Sequence, residues 1–161
     1  DGNLVLLEDQ DRGLWDHAQI GVGVEILERA LKLNQPGPYQ VQAAISAVHA
    51  DAPSFADTDW RQIAALYRVL WEMNPSPVVA INRAVATAMI EGAQVGLRWL
   101  LLFSEDLKDY MPFHAARADL LRRSNQREAA ADAYQRALAL CDSAPERAYL
   151  MKRLKEMGGI G

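Results

Sequence analysis

The sequence is poor in the residues that would announce chemistry or a membrane. Its 161 residues include one cysteine, Cys141, so no internal disulfide can form. Nothing in it points to an oxidising compartment, and a cytoplasmic setting is expected. No apolar run approaches the about 18 residues that a membrane-spanning helix needs, so no membrane association is expected. A basic excess is missing too. Seventeen Lys and Arg face 21 Asp and Glu, a formal charge of −4. Gripping a phosphate backbone depends on releasing its counterions, so this domain is not expected to contact nucleic acid directly. Asp1-Gly2-Asn3 lacks an initiating methionine and the charge pattern of a signal peptide, and reads as the start of a piece cut from a longer protein.

Reactive constellations are equally scarce. His17, His49 and His114 lie far apart and lack a metal-ligand spacing such as H-E-x-x-H. They read as scattered surface or packing histidines. Glu8, Asp9 and Asp11 cluster, with Asp16 close by, but the turn glycine and final glutamate of a calcium loop are missing. Gly21 and Gly23 lack the third glycine and preceding strand of a phosphate loop. Cys141, near a helix end, reads as a buried thiol and not as a nucleophile. The expectation is a non-enzyme with no catalytic residue, no metal and no cofactor.

What the sequence does contain is helix. Apolar residues make up 50% of it, and turn residues fall in short clusters between stretches of 3,4 periodicity. Helices are expected over 14–33, 38–50, 58–73, 77–90, 93–103, 112–123, 126–141 and 145–157. Residues 1–13 read as an extended arm, with Leu4-Val5-Leu6-Leu7 as its apolar part, and 158–161 as a tail. Pro38 and Pro77 suit first helical turns, where a missing N–H costs nothing. Asp57 or Thr58, and Ser76, are expected as N-caps, and Ser143 with Glu146 as a capping box. Trp15, Trp60, Trp71 and Trp99 fall mostly on apolar faces and suit core packing.

The helices pair, and the pairs recur. Leu27, Tyr67, Leu101 and Tyr134 occupy equivalent places in similar segments, separated by 40, 34 and 33 residues. The middle interval matches the tetratricopeptide period. In the best repeat, 111–144, Leu121, Ala130, Tyr134 and Ala137 supply the large and small side chains that let two helices cross closely. The expected fold is therefore all-α, a single domain of antiparallel helical hairpins stacked as a tetratricopeptide-like right-handed superhelix. Its concave groove would present Gln40, Ala43, Ala47, Asn82, Arg83, Ala86, Asp119, Arg122 and Arg123 to a guest polypeptide. The bland alternative is that the alanines only pack helices and the arginines are solvated. Arg83, within an apolar helix, needs a carboxylate partner or a route to water.

The opening Leu4-Val5-Leu6-Leu7-Glu8-Asp9-Gln10-Asp11-Arg12-Gly13-Leu14-Trp15-Asp16 resembles the C-terminal extension of a group of bacterial extracytoplasmic-function RNA polymerase sigma factors that carry tetratricopeptide-like repeats. The likeness continues through Gly37-Pro38-Tyr39-Gln40, His49-Ala50, Asp57-Thr58-Asp59-Trp60, Pro75-Ser76-Pro77-Val78-Val79, Asn82-Arg83-Ala84-Val85-Ala86 and Ala116-Arg117-Ala118-Asp119-Leu120-Leu121-Arg122. In that family the polymerase- and promoter-binding sigma regions precede the extension. The resemblance implies a regulatory or scaffolding domain that modulates transcription initiation. Its partners would be those sigma regions, RNA polymerase or a regulatory protein. Asp9, Gln10, Asp11, Arg12, Trp15 and Asp16 would form a docking segment toward the preceding domain. A stand-alone repeat adaptor and a small-molecule-sensing repeat domain are the competing expectations.

Overall fold

A computed structural model describes residues 4–32 and 36–158. Among them are eight α-helices and no strand: α1 (His17–Lys32), α2 (Pro38–Asp51), α3 (Trp60–Met73), α4 (Pro77–Glu91), α5 (Ala93–Leu101), α6 (Met111–Arg123), α7 (Arg127–Ala139) and α8 (Ala144–Glu156). The all-α expectation holds, with most boundaries within about two residues of those read from the periodicity. Two short 3-10 turns, Leu7–Asp9 and Arg12–Leu14, occupy part of the stretch expected as an extended arm. Leu33 and the expected tail, apart from Gly158, lie outside the described residues.

Caps explain where helices start. Asp16 Oδ1 accepts the Gln19 N–H at 2.9 Å, so α1 begins after it and not at Leu14. Asp59, and neither Asp57 nor Thr58, caps α3 by accepting the Gln62 N–H at 2.9 Å. Ser76 does cap α4, through Val79 N–H at 3.3 Å. Ser143 sits at the N-cap of α8, but its side chain makes no cap hydrogen bond. Its carbonyl oxygen instead accepts from Arg147 N–H and from the Cys141 thiol. Gly92, at φ 94°, opens α5 in a region closed to most side chains, and Asn125 makes the α6–α7 turn at φ 60°.

The chain forms two compact units. One is Val5–Val79, and the other is built from Ala80 onward. In the first, α2 packs on α3 and more lightly on α1. Leu27, Val41, Ile45, Ala52, Ile63, Leu70 and Val79 are its buried apolar side chains. Of α1 only Leu27 is buried, while Val22 is 58% exposed and Ile26 60%.

In the second unit α6 and α7 form the tightest pair, flanked by α5 and α8. Leu121, Ala130, Tyr134 and Ala137, the positions singled out by the repeat, are all buried there. Ala118, Ala130 and Ala137 have no exposed surface, so backbones approach and the Tyr134 ring fills the remaining space. Leu101, aligned with Tyr134 by spacing, is 39% exposed and does not share its role. Gly96 permits the closest approach: a Cβ there would lie 2.5 Å from Ala88 Cβ and 2.6 Å from Ala84 O.

Candidate protein-binding site

The opening segment is fastened to its own unit. Arg12 is only 6% exposed. Its Nη1 donates to the carbonyl oxygens of His49 and Ala52, both at 2.6 Å, and its Nη2 to Thr58 Oγ1 at 3.1 Å. Those carbonyls belong to the C-terminal end of α2, where unpaired oxygens and the helix dipole concentrate negative potential. A planar guanidinium can serve both carbonyls and a hydroxyl at once. Among the described residues no carboxylate lies within ion-pair distance of Arg12, and its enclosed Nε has no hydrogen-bond partner. The cation also sits 5.1 Å from the centre of the Trp15 ring.

The remaining residues of the expected docking segment have local tasks. Asp11 Oδ1 accepts Gly13 N–H, capping the second 3-10 turn, and Asp16 caps α1. Gln10 Nε2 donates to Val5 O at 3.2 Å. Asp9 is exposed in the first turn, and Trp15 is half-buried. His17 Nε2 lies 3.1 Å from Arg12 O. A carbonyl can only accept, so that nitrogen carries the proton.

His49 sits at the centre of this junction. Its ring meets Trp60 edge-on at 5.3 Å, and Phe55 meets Trp60 likewise at 5.0 Å. Burial and the nearby Arg12 charge hold its pKa below the ordinary 6.5, so it is neutral near pH 7.

A groove runs along the seam of α1 and α2. One end is an open cleft of about 600 Å³ lined by residues including Arg12, His17, Ile20, Gly21, Ala47 and Ala52. It shares Ile20, Val24, Ala47 and Ala50 with a second cleft of about 320 Å³ that extends to Leu27 and Ala43. It shares Val24, Ala47, Asp51 and Ala52 with a third of about 420 Å³ that reaches Asp57, Asp59 and Gln62. The lining is small: Gly21 and Gly23 on α1, where an added Cβ would meet nothing within 4 Å, and Ala43, Ala47 and Ala50 on α2 leave the space unfilled.

The residues expected to line a concave groove fall in both units. Gln40 Oε1 accepts Gly37 N–H at 3.0 Å, a capping contact at the start of α2. Ala43 and Ala47 do line open space, in the first unit. In the second unit Ala86 is only 1% exposed and packs. Asn82 is half-buried on α4. Arg83 pairs with no carboxylate among the described residues but is partly exposed, and its guanidinium lies 4.3 Å from the Trp99 ring centre.

Asp119 gathers the remaining expected residues. Its Oδ1 accepts from Arg122 at 2.6 Å and its Oδ2 from Arg123 at 2.6 Å. Arg122 loses by burial, but the hydrogen bond and charge of Asp119 outweigh that and raise its pKa. Burial, reinforced by the Asp119 charge, pushes the Tyr134 hydroxyl up to about 12. That hydroxyl is enclosed without a well-formed hydrogen bond, because the neighbouring Arg122 is turned to Asp119. Arg153 bonds Tyr149 Oη at 3.1 Å and pairs with Glu156. The Asp119 pairs lie within α6 and those of Arg153 within α8, whereas Arg127 Nη2 ties α7 to α8 by donating to Glu156 O at 2.7 Å.

Two features escaped the sequence reading. One is the set of acceptors for Arg12, which come from 37 to 46 residues away. The other is the α1–α2 seam, whose only signal is Gly21 and Gly23 on one helix and alanines four apart on the next. Among the described residues no three His, Cys, Asp or Glu side chains gather as a metal-holding group. No helix among them is long and apolar enough to cross a membrane.

No family model matches the chain, and no solved structure matches it. It is similar to an uncharacterized protein of Rhizobium meliloti (strain 1021), with 41% identity over 156 residues. That stretch is 97% of this chain but 37% of the relative, so the chain spans little more than a third of the longer protein it resembles.

Proposed function

We propose that this chain is a protein-binding regulatory domain of a bacterial RNA polymerase sigma factor, holding another polypeptide and performing no catalysis. The observation that carries the protein-binding part is α1. It buries Leu27 alone, borders an open groove on one side, and exposes Val22 and Ile26 on the other. An isolated helix gains little by displaying two apolar faces, whereas a helix that receives a partner needs them. The relative's greater length is consistent with further segments for such a domain to act upon. The tie to transcription rests on the resemblance of the opening segment and of Asn82-Arg83-Ala84-Val85-Ala86. The tetratricopeptide-like stacking belongs to the same reading, supported by the buried small and large positions of α6 and α7. The partners proposed are the sigma regions of the same polypeptide, polymerase or a regulatory protein, in the cytoplasm, without direct nucleic-acid contact by this domain.

The test is co-elution of the chain with purified core polymerase and with the sigma regions of a factor of this kind. A complex with either supports the reading, and no complex with both contradicts it. One observation favours a second reading, a small-molecule sensor: the about 600 Å³ cleft beside Arg12 falls within the range of small-molecule pockets. A rise in melting temperature with a metabolite, by mass action on the folded state, would support that instead.

A further inference from the structure

We infer that the α1–α2 groove is a docking channel for a cationic amphipathic helix of the partner polypeptide. The inference rests on the protein-binding reading above and names the chemistry of its partner. Three clefts that share walls make one elongated channel, not a closed pocket. Along α2 its wall repeats Ala43, Ala47 and Asp51, one helical turn apart, a span of about 12 Å. The small Ala43 and Ala47, four residues apart, leave a recess of the spacing that the i, i+4 ridge of another helix fits, and Asp51 follows one turn on. Ile20, Val24 and Leu27 supply the apolar wall opposite.

Charge selects the sign of the guest. Asp51, Asp57 and Asp59 line one end of the channel. Asp57 and Asp59 accept hydrogen bonds from Ser54 and from the Gln62 backbone, but among the described residues neither meets a cation, and Asp51 is exposed. Among the described residues the one Arg or Lys in the lining is Arg12, already committed to the carbonyls at the end of α2. Between Val5 and Val79 carboxylates also outnumber Lys and Arg. A guest with Leu- or Ile-sized side chains on one stripe and Lys or Arg beside it would fill the seam and meet the carboxylates.

The probe is a fluorescein-labelled designed peptide of about 15 residues, with Leu at i, i+3, i+4 and i+7 and Lys between, read by fluorescence anisotropy on the whole chain. Two controls carry Glu in place of Lys, or the same residues scrambled so that the stripe is lost. The Lys stripe peptide should bind at least roughly tenfold tighter than either control. Ala47→Leu should fill the channel and weaken it by roughly tenfold, while Asp51→Asn with Asp57→Asn should weaken it about threefold and flatten its salt dependence. Gly23→Leu, on the opposite wall, replaces Ala47→Leu if that variant melts abnormally. Failure of the stripe peptide to bind, equal binding by the scrambled peptide, or indifference to both channel-filling variants would overturn the inference. Polymerase or sigma-region capture that persists unchanged in those variants would sink the channel and leave the regulatory reading standing. Peptide binding without any such capture would do the reverse.

Discussion

Arg12 shows how much one side chain can decide. A charge among apolar neighbours is costly unless its donors are met, and Arg12 gives two N–H bonds to main-chain oxygens and a third to Thr58 Oγ1. Lysine keeps the charge but cannot fork toward two carbonyls and a hydroxyl. Arg12→Lys should therefore destabilise the first unit by about 2 kcal/mol and Arg12→Ala by about 3 kcal/mol. Urea titration followed by tryptophan fluorescence reads both; equal stability of all three proteins would refute the clamp. The neighbouring His49 makes a separate prediction. Its folded pKa is depressed, so the unfolded chain binds more protons below its ordinary value of 6.5. Stability contributed by the neutral ring is full above that pH and is lost as pH falls from there toward the folded value. His49→Gln should flatten the fall in urea midpoint between about pH 7 and pH 5.

Helices were the legible scale. Prolines 38, 77, 112 and 145 in first turns, the Glu91-Gly92 turn and the Ser124-Asn125 turn punctuate the sequence, and the helices begin and end beside them. Burial of Leu121, Ala130, Tyr134 and Ala137 was legible too, because close helix crossing requires small residues at fixed spacing. The caps were less so: several side chains near Asp59 could have reached the same N–H, and only the folded turn selects one. Arg12 could not be read as inward-facing, since its acceptors are main-chain atoms with no sequence signature. The α1–α2 groove is a void, signalled only by Gly21, Gly23 and the alanines of α2.

Glycines separate the two units at this scale. Gly96→Ala would push a methyl group into Ala88 and the Ala84 carbonyl, and should cost about 1–3 kcal/mol. Gly23→Ala meets nothing within 4 Å and should instead stabilise α1 by about 0.5–1 kcal/mol. Thermal melts of the two variants should shift in opposite directions. A shared sign would show that the local geometry of one of these helices is misassigned.

As a whole the molecule combines a second unit packed around Leu100, Phe113, Leu120, Tyr134 and Leu150 with a first unit whose leading helix is incompletely covered. That contrast is what a scaffold with one receptive surface would have. Hydrogen–deuterium exchange on the chain, alone and with core polymerase and sigma regions present, tests this most directly. The account predicts slowed exchange over α1 and α2 on partner addition, with α6 and α7 unchanged. Unaltered exchange in α1 and α2, or protection confined to α6 and α7, would contradict it.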